Sequence, residues 1–209
     1  MDTVIFDLMG VLFEGGHWVS EHLYPEVKDR LTLAEVRRHY IQYAVGKITR
    51  EEFWSRLFGD WQAQGNRLLE PLQPRKDLDA IRPLKGRYFL ALATEIPRDW
   101  APMLLDRARL HDFFDVAVIS GLEGVTKPHR EIYERLVARL PKTGRRIYVD
   151  DKIQNLATAN TFGITTVWMK NPGKKPDADY PPDYVVTSLY EAVAVIQREL
   201  RPVSREASG

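Results

Sequence analysis

Five short apolar runs punctuate the chain: TVIFD (3–7), YFLALAT (88–94), VAVIS (116–120), RIYVDD (146–151) and ITTVWM (164–169). Each has the length of a strand and is bounded by turn or polar residues. None alternates apolar with polar positions, and near-continuous apolar character marks strands covered on both faces, as in a parallel sheet. Between these runs, apolar residues recur at spacings of three and four. DWAPMLLDRARL (99–110) and REIYERLVARL (130–140) read as amphipathic helices, and NLATANTF (155–162) ends at Gly163, a fitting glycine for a helix C-terminus. The alternation of strand and helix predicts an α/β, doubly wound, Rossmann-like parallel sheet.

The stretch 15–83 breaks this rhythm. It holds no strand-like run and reads as several amphipathic helices, among them LTLAEVRRHYIQYAVG and TREEFWSRLFGDWQAQ. Thr49 and Glu52 form a capping-box pattern just ahead of Phe53 and Trp54. Gly15 and Gly16 at the entry, and Pro71, Pro74 and Pro83 near the exit, are placed to act as hinges. The predicted organisation is therefore a core of residues 1–14 and 84–202 with a helical insert, 15–83, directly after the first strand. Residues 203–209 read as a frayed tail and 171–182 as a long proline-rich loop. No internal repeat is present.

Composition narrows the classes. A chain of 209 residues, 44% hydrophobic and 28% charged, suits a soluble domain with a real core. Thirty basic residues against 29 acidic ones give a formal charge of +1, so no global field recruits nucleic acid or an anionic membrane. Cysteine is absent, which excludes disulfides, thiolate metal sites and cysteine nucleophiles, and fits a reducing cytoplasm. The first residues lack a basic leader region, and no stretch approaches the ~18 apolar residues of a membrane span.

In open parallel sheets, ligands bind beyond the carboxyl ends of the strands. The predicted strand ends carry Asp7, Thr94 and the pair Asp150–Asp151, while Lys127 follows the third strand in GLEGVTKPHREIY. Singly, each has an ordinary explanation: a helix or turn cap for Asp7 and Thr94, a solvated charge for Lys127, a favourable helix-dipole contact for the acidic pair. A carboxylate, a hydroxyl, an ammonium and two more acids at one edge of one sheet are better explained together, as a site.

That constellation resembles the haloacid dehalogenase-like (HAD) hydrolase superfamily over almost the whole chain. VIFDLMGVLF is similar to the family's first motif, LATEIP to its second, GVTKPHREIYERL to its third and IYVDDKIQNLATANTFGITTV to its fourth. The insert, with GKITREEFW, resembles a C1-type helical cap. The branch it is most similar to includes the amino-terminal phosphatase domain of soluble epoxide hydrolases. The resemblance implies that Asp7 attacks a phosphoryl group of a small substrate, that Lys127, the Thr94 hydroxyl and the backbone amide of Glu95 hold its oxygens, and that Mg²⁺ sits between Asp7, Asp151 and the Met9 carbonyl. Asp150 and Asn155 would be auxiliary to the metal. Neither the basic residues nor the aromatics form a nucleic-acid patch, no membrane partner is expected, and monomer and homodimer both stay open.

Two residues depart from the family pattern. Met9 stands where most phosphatases of the superfamily have the aspartate that shuttles protons, work commonly worth about 10²–10⁴-fold. Glu95 puts a carboxylate beside the phosphate position, where it repels an anion unless paired. Three activities stay open: a magnesium-dependent phosphatase, a catalytically weak protein that binds a phosphorylated ligand or partner, and a 2-haloacid dehalogenase. The aromatic residues Trp18, Tyr24, Tyr40, Tyr43, Phe53, Trp54, Phe58 and Trp61 read chiefly as bundle packing, with His17 and Trp18 the nearest to a closing site. His129, Lys174 and Lys175 read as surface residues.

Overall fold

The computed structural model describes residues 1–59, 67–173 and 175–200; Trp61, Lys174 and the 203–209 tail lie outside the described residues. Six parallel strands form one sheet in the order β3–β2–β1–β4–β5–β6. They are β1 (Thr3–Phe6), β2 (Phe89–Thr94), β3 (Val116–Ile119), β4 (Arg146–Asp150), β5 (Thr165–Met169) and β6 (Tyr184–Val186). Five of these coincide with the apolar runs. β6 was not anticipated, because three residues with an exposed Val185 leave almost no hydrophobic pattern to read.

The first strand lies at the centre, with β2 on one side and β4 on the other. Successive β1 side chains face opposite ways. Val4 and Phe6 join one hydrophobic cluster and Ile5 the other, which is why the run is apolar without alternation. Four helices pack around the sheet in order: α3 (Trp100–Arg107), α5 (Arg130–Arg139), α6 (Ile153–Asn160) and α7 (Leu189–Glu199), with a single turn α4 (Ser120–Glu123) after β3. Leu136 of α5 and Leu156 of α6 share the cluster of Ile5, whereas Leu104 of α3 and Ile196 of α7 share that of Phe6, so both faces are covered. Burying one such side chain stabilises the fold by about 1.5–3 kcal/mol.

After β1 the chain forms a π-helical turn (Val19–Leu23), a 3₁₀ turn (Tyr24–Glu26), α1 (Leu33–Ala44) and α2 (Arg50–Phe58). Both α-helices start on a capping box: Thr32 with Glu35, and Thr49 with Glu52 as the sequence indicated. Each box satisfies otherwise unpaired N-terminal amides. Gly59, at φ +74°, closes α2. Their apolar faces meet where Tyr43 of α1 stacks on Phe53 of α2 at 4.7 Å, and nearby Trp18 meets Trp100 of α3 edge-on at 4.9 Å. The same layer touches the sheet's carboxyl edge, where the Tyr40 hydroxyl donates to the Glu95 carbonyl at 3.2 Å and the Ser120 hydroxyl to the Ala44 carbonyl at 2.7 Å. Among the described residues no helix is long and apolar enough to cross a membrane.

Candidate active site

The strand order brings the site together. The ends of β2, β1 and β4 are neighbours, so Thr94, Asp7 and Asp150 meet at the point where the strand order reverses from β1. In such sheets the crevice at this reversal is the binding position. Lys127 arrives from the loop after α4, and its ammonium bridges Asp7 Oδ1 at 3.0 Å and Asp150 Oδ2 at 2.8 Å. It also donates to the Ala93 carbonyl at 3.0 Å and the Tyr148 hydroxyl at 2.8 Å. The cluster is closed: Asp7 is 3% exposed, Lys127 2%, and Thr94, Asp150 and Asn155 0%. Lys127 is therefore no surface charge.

Burying charge is tolerable only with partners, and the two adjacent aspartates differ sharply in that respect. Asp150 accepts from Lys127, Tyr148 Oη, the Lys152 amide at 2.8 Å and Asn155 Nδ2 at 3.1 Å to each oxygen. Those donors occupy the lone-pair directions a carboxylate offers. Among the described residues, Asp151 has a buried Oδ1 with no hydrogen-bond partner. Its backbone is held by the Trp168 indole, which donates to the Asp151 carbonyl at 3.0 Å. Asp7, Asp150 and Asp151 bring one oxygen each within 4.8 Å of one another, a grouping able to hold a metal ion. Three carboxylates are hard oxygen donors, the set that suits Mg²⁺ and not a thiolate-seeking metal.

Two glycines make room for Asp151. A Cβ on Gly10 would fall 2.4 Å from Asp151 Oδ2, and one on Gly16 would fall 2.5 Å from it. Gly10 also has φ +77°, and its carbonyl accepts from Asn171 Nδ2 at 2.8 Å. Gly16, expected to be a hinge, is required here by close approach.

Electrostatics follow burial. Burial pushes the Asp7 carboxyl up to about 7; Asp150 and Glu95 add to the rise, and Lys127 and Lys152 oppose it. Burial and then the charges of Asp150 and Asp7 hold Asp151 well above the usual carboxylate range. For Lys127, burial alone would lower the pKa, but Asp150 and Asp7 outweigh it and keep the ammonium charged.

Glu95, the unusual neighbour of Thr94, is paired: its Oε2 lies 2.9 Å from Lys152 Nζ. Thr94 Oγ1 is buried without a partner among the described residues. Met9 is partly buried and packs against the hydrophobic cluster. Of the remaining candidates, Trp18 is buried and donates its indole N–H to the Leu68 carbonyl at 2.7 Å, His17 is half-buried nearby, and His129 and Lys175 are exposed.

Sequence reasoning missed Lys152, Tyr148 and Tyr133. Tyr148 and Asp150 lie two apart on β4 and so share a face, a period-two signal hidden inside an apolar run. Tyr133 donates to the Asn155 carbonyl at 2.9 Å, a contact between helices that no local pattern announces.

A doubly wound sheet with a lysine-bridged carboxylate cluster at its switch point defines a hydrolase of a known kind. The chain belongs to the haloacid dehalogenase-like hydrolases, whose family model matches residues 1–163. Among curated relatives, a glyceraldehyde 3-phosphate phosphatase of Pyrococcus furiosus is 36% identical over 127 residues, covering 57% of this chain and 52% of the relative. The chain thus spans about half the length of that relative. The sesquiterpene phosphatase astK of Aspergillus oryzae is 28% identical over 175 residues, covering 78% of this chain and 86% of its own. Among solved structures, the magnesium-bound HAD-family protein YfnB of Bacillus subtilis superposes with a TM-score of 0.67 at 21% identity, covering 94% of this chain and 98% of that one. An L-2-haloacid dehalogenase of Xanthobacter autotrophicus gives 0.64 at 18% identity, covering 93% and 97%. The latter two show the shared fold.

Proposed function

We propose that the protein is a magnesium-dependent phosphatase acting on a small phosphorylated metabolite through an aspartyl-phosphate on Asp7. The observation that carries this reading is the division of labour at the end of β4. Asp150 is saturated by Lys127, Tyr148, Asn155 and Lys152, while its neighbour Asp151 keeps a buried oxygen without a partner. That orphan oxygen and the grouping of three carboxylates, with Asp151 seated against Gly10 and Gly16, fit a hard divalent cation. Asp7, Asp151 and the Met9 carbonyl would hold Mg²⁺, with Asp150 and Asn155 auxiliary. Once bound, the ion supplies positive charge to the phosphoryl oxygens.

The chain's own residues account for the rest. Asp7 Oδ1 accepts from the Leu8 amide at 2.7 Å and lies 3.0 Å from Lys127, so Oδ2 is the oxygen that would bond phosphorus. Lys127, held in place by Asp150, would neutralise an equatorial oxygen, and the Thr94 hydroxyl would donate to another. The ester oxygen leaves, and water then cleaves the aspartyl-phosphate and restores Asp7. Met9 can neither protonate the leaving oxygen nor activate that water, so turnover is slow on poor leaving groups. In this reading, residues 15–83 are the helical cap and 1–14 with 84–202 the core. The phosphatases among the relatives support the reaction class.

The test is phosphate release from an aryl phosphate, with and without magnesium, beside halide release from 2-chloropropionate. Magnesium-dependent phosphate release, lost in Asp7→Asn, supports the proposal. Magnesium-free halide release overturns it in favour of a dehalogenase. No release of either, with phosphate raising the melting temperature, identifies a binding protein. Met9→Asp should raise phosphate release by about 10²-fold, and no gain in a folded, magnesium-binding variant refutes the role assigned to position 9.

A further inference from the structure

Glu95 and Lys152 form the partly open end of an otherwise buried charge cluster. Their side chains are 21% and 32% exposed, against 5% for Asp7 and 1% for Lys127. Glu95 follows Thr94 at the end of β2 and Lys152 follows Asp151 after β4, so the pair spans the crevice from both sides of β1. Both charges act on Asp7. The Tyr40 hydroxyl pins the Glu95 carbonyl from the helical layer, and Tyr40 packs on Trp18 and Trp100 at ring separations of 6.0 and 5.9 Å. Beside the pair the surroundings are therefore aromatic, with the apolar Met9 on the strand-end loop.

We propose that the Glu95–Lys152 pair determines specificity, admitting phosphate monoesters of uncharged alcohols and turning away those that carry a second anionic group. The proposal rests on the phosphatase reading above. Lys152 is the cation a second anion would seek, and its charge is already matched by Glu95 at 2.9 Å. To recruit it, a ligand must break a charge-assisted hydrogen bond and leave the Glu95 carboxylate unpaired next to negative charge. The transferred phosphoryl group escapes this penalty because it would meet Lys127, beside the metal that Asp7 and Asp151 would hold. Discrimination here comes from a repulsive element placed against the wrong ligand. An uncharged leaving group faces only the neutral pair and the aromatic rings.

The experiment compares phenyl phosphate with phosphoglycolate, whose leaving group bears a carboxylate, in magnesium. The wild-type protein should favour phenyl phosphate in kcat/KM. Glu95→Gln should shift that ratio toward phosphoglycolate by about tenfold, chiefly through a lower KM. Lys152→Gln, which strands Glu95, should shift it the other way. An unchanged ratio in Glu95→Gln overturns the proposal. If no protein turns over either ester, the phosphatase reading has failed, and calorimetric binding of phenylphosphonate against phosphonoacetate still reads the preference. An affinity ratio equal in wild type and Glu95→Gln then overturns it.

Discussion

The carboxyl edge of the sheet and the aromatic layer that adjoins it are both buried, yet they are built on opposite principles. In the layer, Trp54 and Trp100 leave their indole N–H groups without partners, and the fold tolerates it because each ring buries a large apolar area against Trp18, Phe53 or Tyr43. At the sheet edge Asp7, Lys127 and Asp150 answer one another, and among the described residues Asp151 Oδ1, Thr94 Oγ1 and Asn155 Oδ1 stay buried without partners. An orphan among rings reports packing. An orphan oxygen among carboxylates is an acceptor that a donor or a cation can still use.

Substitutions should separate the two regions. The largest effect is expected from Lys127→Met, which leaves Asp7 and Asp150 facing each other and should cost about 3–5 kcal/mol in urea unfolding, together with the loss of phosphate release. Trp54→Ala should cost a comparable 3–5 kcal/mol by opening a cavity, but leave phosphate release per folded molecule near wild type. If it instead abolishes release, the aromatic layer is part of the chemistry and the contrast fails.

A smaller and pH-dependent effect is expected at Asp7. Its folded-state pKa is raised to about 7, so its contribution to stability is present at low pH and is lost as pH rises from about 4 to about 7. In chelator, Asp7→Asn should therefore melt several degrees above wild type at pH 7, with the gap closing toward pH 4. Magnesium should raise the wild type at pH 7 and not the variant. A gap independent of pH would show that Asp7 is not the strained charge. The smallest effect belongs to Thr49→Ala in the α2 capping box, about 1 kcal/mol by thermal unfolding, with no change at the site.

Much of this was legible in one dimension because strand ends are read directly. A parallel sheet puts the residues at or just after each strand's carboxyl end on one edge, so Asp7, Thr94 and Asp150–Asp151 group from the sequence alone. The capping box of α2 obeys the same logic, being a local pattern of four positions from Thr49 to Glu52, whereas that of α1 was not singled out. β6 escaped notice since an edge strand of three residues carries no periodicity, and α7 was not singled out within the core.

What the sequence by itself determined was the inventory: an α/β sheet with helices inserted after its first strand, a nucleophile-like aspartate, a lysine, two adjacent acids, and Met9 in place of another acid. Only the tertiary structure decided which acid is saturated and which is left open, since that depends on Lys127 from the loop after α4 and Asn155 from α6 joining Tyr148 of the same strand at Asp150. It also decided that Glu95 is answered by Lys152, 57 positions away in the chain. Burial made these pairings necessary, because a charge removed from water must find its partner in space and not in sequence.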